Sequence, residues 1–195
     1  MEQVQCFGGH ASGNHFFIVT ELMERGSLAD CLDEHADEFA WARLGKRVLL
    51  GAAKGLLHIH SREMVHFDIK PLNVLINEDN TAKLADVGLA KRLTATVTKP
   101  GGWTPAYAAP EILNRKGANQ KSDIFSFGLM IWQVYTQQQP SLGDKCDADP
   151  RWPVAGILTG AGTTHGGALA TEMGRRPSAV QMKEELEHAP AHSMP

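Results

Sequence analysis

Residues 122–136 read SDIFSFGLMIWQVYT. Apolar side chains fall on nearly every side of a helical wheel drawn through them, which argues for a helix buried by its neighbours. Its most apolar part, 124–136, is too short to cross a bilayer. The chain has 195 residues, enough for one core-forming domain and at most a second small one. A net charge of −3 leaves no basic footprint for nucleic acid or an anionic membrane, so neither is expected as a partner. The opening residues MEQVQCFGGH hold no positive n-region followed by an apolar h-region, so a secretion signal is not expected. Cys6, Cys31 and Cys146 lack metal-ligand spacing and read as thiols of a reducing compartment. The expected location is cytoplasmic.

Two apolar, aromatic-rich runs, 3–9 and 15–22, flank ASGN, a plausible hairpin turn in which Gly13 and Asn14 tolerate positive φ. Gly26 breaks the second run, and Ser27 can cap a helix from Leu28. From Trp41 to His60 the period is helical. Leu44, Val48, Ala52, Leu56 and Ile59 share one face, with Arg43, Arg47 and Lys54 opposite. Pro71 and the NEDN cluster at 77–80 divide the next region into short strands around a loop, and AKLAD (82–86) is another short strand. Residues 90–108 read as an extended surface segment and 138–168 as loop. SAVQMKEELEH (178–188) is a final amphipathic helix capped by Ser178.

The stretch VHFDIKPLNVLI (65–76) places Asp68, Lys70 and Asn73 inside apolar flanks, and Asp86 ends the next strand. Asn73 and Asp86 are hard oxygen donors of the kind Mg²⁺ prefers. Lys70 can reach a phosphate, and Asp68 can accept a hydroxyl proton. An acid, an ammonium group and a metal pair aimed at one point suit phosphoryl transfer, which relies on positioning and charge neutralisation. His58, His60 and His66 lack a matching carboxylate or thiolate at metal spacing, and His66 is expected to brace the loop.

HFDIKPLN resembles the protein-kinase catalytic loop H-R-D-x-K-x-x-N, and DVG (86–88) resembles the metal-binding D-F-G. APE (109–111) follows TPAYA, SDIFSFG is similar to the buried helix that comes next in kinases, and RRPS (175–178) to the late arginine segment. FIVTELMERGSL looks like the last small-lobe strand running into the hinge. These motifs stand in family order across 16–178.

The resemblance implies an α+β, protein-kinase-like fold: a mostly helical large lobe (27–195), a hinge (21–26) and a two-strand remnant of the small lobe (1–20). It implies ATP and Mg²⁺ as cofactors and Ser/Thr hydroxyls of proteins as substrates. Asp68 would be the catalytic base, and Lys70 would contact the transferring phosphate. Asn73 and Asp86 would hold Mg²⁺. Thr20 would be the gatekeeper, the carbonyl of Glu21 and the backbone of Met23 would bind adenine, and Leu75 would floor the pocket. Asp123 would anchor the loop through its backbone amides, and Glu111 would pair with Arg176. Lys70 after Asp68, with Thr104 and Pro105, resembles the serine/threonine branch, and ELMERGSL the tyrosine-kinase-like group. Thr104 stands either in the substrate loop or in a plain turn.

The chain departs from the pattern in several places. It holds no G-x-G-x-x-G or V-A-I-K run, so little or no transfer is expected of the isolated polypeptide. Phe67 stands where the family has an arginine that receives an activation-segment phosphate, which leaves Thr94, Thr96 and Thr98 without that receiver. Val87 replaces an aromatic, so packing behind Asp86 should be looser. Residues 141–168 diverge. The alternative reading is a catalytically dead, pseudokinase-like interaction scaffold.

Overall fold

A computed structural model describes residues 3–13, 15–86, 90–92, 103–141, 155–160 and 167–191. The expectations for Asn14, Val87, Gly88, Thr94, Thr96, Thr98, Cys146 and most of 141–168 lie outside the described residues. Three two-stranded antiparallel sheets are present among those described: β1 (Cys6–Ser12) with β2 (His15–Thr20), β3 (Met64–Val65) with β6 (Lys91–Arg92), and β4 (Val74–Ile76) with β5 (Ala82–Leu84). The helices are α1 (Leu28–Glu34), α2 (Lys46–Ser61), α3 (Pro110–Leu113), α4 (Gln120–Thr136), α5 (Ala155–Thr159) and α6 (Ala179–His188). None of the described helices is long and apolar enough to cross a membrane.

The hairpin pairs Cys6 with Thr20 and Ser12 with His15, and Gly13 takes the turn at φ 58°. Every residue of both strands is exposed. At its base Glu21 N closes the ribbon on the Gln5 carbonyl (3.0 Å), and Val4 N donates to the Leu84 carbonyl on β5 (3.3 Å), which joins the ribbon to the rest of the molecule.

Ser27 caps α1 as expected, in a reciprocal box with Asp30. The long helix is shorter than its periodicity suggests. It begins at Lys46, and Trp41–Gly45 forms a wide turn in which Arg43 leaves helical geometry (φ −114°, ψ −113°). The cause is tertiary. Trp41 is buried, donates Nε1–H to the Pro190 carbonyl (2.9 Å) and packs edge-on to Tyr135. From Val48 to Ile59 the expected face is buried, and Arg47 and Lys54 stay exposed. Gly51 lets α2 approach β5 closely, since a Cβ there would sit 2.7 Å from the Ala82 carbonyl oxygen.

Helix α4 is the buried one, with Ile124, Phe127, Met130, Ile131 and Val134 fully enclosed. Its cap is Asn119, so it starts two residues before Ser122. One core cluster gathers α1, α2, α4, α5, α6 and the β4–β5 ribbon. A second joins Val65 and Phe67 to Ala108, Ala109, Ile112 and Ala118. Two expected irregular regions hold short elements. β6 pairs with β3 inside 90–108, and α5 forms inside 138–168 because Ile157 and Leu158 plug into the core. Helix α6 matches its expected span, boxed by Ser178 and Gln181.

Phe127→Ala is expected to cost about 3–5 kcal/mol, because removing a fully enclosed ring leaves a cavity as well as losing its transfer energy. Urea unfolding of both proteins measures it, and a loss below roughly 1 kcal/mol would mean that the ring is not central to the core.

Candidate functional site

The loop between β3 and β4 is shaped by one carboxylate from α4. Asp123 Oδ2 accepts from His66 N (2.8 Å) and Oδ1 from Phe67 N (2.8 Å). His60 Nε2, at the end of α2, donates to the same Oδ2 (2.9 Å). Phe67 thereby holds a left-handed backbone at φ 70°, rare for a bulky residue. Asp68 N donates to His66 Nδ1 (3.3 Å), so the ring proton sits on Nε2, which donates to the Ala85 carbonyl (3.0 Å). His66 thus braces the loop, as its position suggested, against the residue just before Asp86.

The loop presents Asp68, Lys70 and Asn73 together. Lys70 Nζ lies 2.6 Å from Asp68 Oδ2. Asn73 Nδ2 donates to the same oxygen (3.0 Å) and to the Asp68 carbonyl (2.7 Å). Thr104 Oγ1 donates to Asp68 Oδ1 (2.8 Å) and accepts from Lys70 Nζ (2.8 Å). Thr104 is therefore no plain turn residue, and residues 103–107 reach the loop through it. Burial alone pushes the Asp68 carboxyl up. The Lys70 bond outweighs that with help from Thr104, the Lys70 charge and Asn73, and holds it below the ordinary 3.8. Asp68 accordingly contributes to stability at neutral pH, and that contribution is lost as pH falls through the lowered folded value.

Asp86 is exposed, with a left-handed backbone at φ 54°. Its predecessor, Ala85, donates N–H to the Asn73 carbonyl (2.8 Å), so the two proposed metal ligands lie on directly bonded segments. Both Asn73 amide donations go to Asp68. The Asn73 Oδ1 and the exposed Asp86 carboxylate remain as hard oxygen donors, a set that fits Mg²⁺ with water or phosphate completing the shell.

In the segment expected to form the hinge, Thr20 Oγ1 donates to the Glu21 carbonyl (3.2 Å), and the Met23 carbonyl accepts from Gly26 N (3.0 Å). Met23 is buried, and half-buried Leu75 lies on β4 across from Lys83. The Glu21 side chain is held from two sides: Gln5 N donates to Oε1 (2.6 Å) and Lys83 Nζ to Oε2 (2.6 Å). The Lys83 bond, with the Gln5 amide, holds its carboxyl low. Sequence reasoning missed Lys83, although its place between buried Ala82 and Leu84 turns it to the other face of the strand.

Two further contacts frame the site. Arg176, 1% exposed, forks onto Glu111 (2.6 and 2.9 Å), and Ser122 Oγ donates to the same carboxylate (2.7 Å). Phe67 is 3% exposed and packs into the second apolar cluster, beside Trp103 and Phe125.

A family model described as "Protein kinase domain" matches residues 3–154. A Dictyostelium discoideum protein named "Probable serine/threonine-protein kinase drkB" is 35% identical over 144 residues, covering 72% of this chain and 20% of that protein. The Arabidopsis thaliana "Serine/threonine-protein kinase STY46" is 34% identical over 139 residues, covering 70% of this chain and 24% of its own length. Across eight such relatives the matched region spans 8% to 24% of their lengths.

Lys70→Met removes the bond that most opposes burial. The Asp68 titration, followed by carboxyl ¹³C shifts, is expected to move upward, and an unmoved midpoint would show that Lys70 does not set it. Phe67→Ala is expected to cost about 3–5 kcal/mol. Chemical denaturation checks this, and a neutral result would mean the second cluster contributes little.

Proposed function

The chain belongs to the protein kinase domain family, and from that premise we propose that its site transfers the ATP γ-phosphoryl group to Ser/Thr hydroxyls of protein substrates. The observation that carries this reading is the Asp68 carboxylate, kept ionised beside an ammonium group and already accepting an aliphatic hydroxyl from Thr104. Asp68 is the catalytic base: Oδ1 or Oδ2 takes the proton of the attacking hydroxyl. Lys70 Nζ, within reach of Asp68, neutralises charge on the transferring phosphate. Asn73 and Asp86 would hold Mg²⁺, which would neutralise charge on the phosphate oxygens. Thr20, the Glu21 carbonyl, the Met23 backbone and Leu75 receive adenine.

In this reading 1–20 is a remnant of the small lobe, 21–26 the hinge and 27–195 the large lobe, working in the cytoplasm. The hinge is fixed to β5 by the Glu21–Lys83 pair, which sets the adenine end of the site relative to Asp86. The substrate side is tied to the loop twice, through Thr104 and through Phe67. Phe67 is occupied by apolar packing, which favours control without an activation-segment phosphate at this position. The exposed apolar hairpin favours the second reading, a pseudokinase-like scaffold.

Mg-ATP is expected to raise the melting temperature of the 195-residue chain, with about 2.7 kcal/mol gained at a hundredfold excess over Kd. Asp86→Ala should abolish the shift. Phosphate transfer to a generic Ser/Thr peptide is expected to be slow, since the sequence holds no glycine loop, and to fall about 10²-fold or more in Asp68→Asn. Transfer that survives Asp68→Asn would remove the proposed base. An Mg-ATP shift without any transfer would favour the scaffold.

A further inference from the structure

A cavity of about 250 Å³ lies where the end of α2 meets the first turns of α4 and α6. Leu57, Ile124, Ala179 and Val180 give it an apolar wall, and Lys121 and His60 stand in the same lining. The volume lies between a cavity that holds benzene, about 150 Å³, and the drug-sized range that starts near 300 Å³.

Its charge is one-sided. Lys121 Nζ donates to the Arg176 carbonyl (2.6 Å), and no described carboxylate pairs with it. No Asp or Glu lines the cavity. Burial, then the neighbouring Arg176 charge, pulls the Lys121 ammonium below its ordinary value, as expected for a cation short of a counter-ion. The first turn of α6 adds the positive end of a helix dipole, with Ser178 capping it. An occupant that neutralises this ammonium and covers the apolar wall would satisfy both features.

The lining also connects to the loop that carries Asp68. His60 reaches Asp123 Oδ2 at 2.9 Å, and the same oxygen accepts from His66 N at 2.8 Å. A change of His60 is therefore one residue removed from the backbone bonds that shape that loop.

We propose that this cavity binds a small carboxylate with a short apolar body, its headgroup on Lys121 and its body against Leu57, Ile124 and Val180, and that occupancy is felt at the 66–68 loop through His60 and Asp123. Binding is independent of the kinase reading and is tested without nucleotide.

The probe is octanoate, titrated into the chain and followed by amide NMR, with octylamine and octanol as comparators. Saturable shifts at Leu57, Ala179 and Val180 are expected, with smaller ones at His66 and Phe67. Val180→Trp fills the cavity from a position that is 46% exposed, so it keeps the fold, and should eliminate the shifts. Lys121→Met should weaken octanoate about tenfold or more, the loss expected for one charged hydrogen bond, whereas Lys121→Arg should retain binding. Octanoate shifts that persist in Val180→Trp, octylamine bound as tightly as octanoate, or no saturable shift at all would each overturn the site. Saturable cavity shifts with unmoved His66 and Phe67 would overturn the coupling.

Discussion

The Asp123 carboxylate is the constraint on which the site depends. It is 1% exposed and accepts two backbone amides and an imidazole from another helix. A charge so enclosed is tolerable only when such donors replace water. The donors in turn force Phe67 into a left-handed turn, and that turn aims Asp68 inward. Helix α4 must be buried for this to work, because only a core element can deliver a carboxylate beneath a loop without exposing it. The apolar surround of the segment at 122–136 and the chemistry at 65–76 are thus two aspects of one arrangement.

The 65–76 loop and the 103–112 segment are joined by two kinds of force. One is polar: Lys70, Asp68 and Thr104 form a closed triangle of short bonds. The other is apolar: Phe67 rests among Ala108, Ala109 and Ile112. The Glu111–Arg176 fork fixes the end of that segment to the C-terminal part of the chain. Removing one partner of such a buried pair leaves an uncompensated charge, which is why buried pairs are costly to break even when they add little net stability. With Phe67 packed this way, the segment's docking rests on contacts already present in the unmodified chain.

Local features were legible from residue order. Ser27 and Ser178 announced their helices, the apolar face of α2 followed its period, and the polar residues singled out in 65–76 do lie together. Long-range features were less so. The unwinding at Trp41–Gly45 depends on Pro190 and Tyr135, which no local window contains. The helix at Ala155–Thr159 exists because Ile157 and Leu158 find a core, against the glycine content around them. The Glu21–Lys83 pair joins residues 62 positions apart, and Thr104 meets Asp68 across 36. A family resemblance supplied the pairing of Asp123 with the loop and of Glu111 with Arg176, which spacing alone would not.

The β1–β2 hairpin has a colloidal consequence. Phe16 and Ile18 are 80% and 75% exposed, and Phe7, Phe17 and Val19 are each more than half exposed. A lone two-stranded ribbon is marginal in water, and its outer backbone edges are templates for further strands. Greasy side chains on both faces, with both outer edges unpaired among the described residues, make this ribbon adhesive, so concentrated solutions of the 195-residue polypeptide should self-associate through it. Shielding the hairpin, by a detergent or by a companion surface, would then govern how the chain behaves in handling more than its net charge of −3 does.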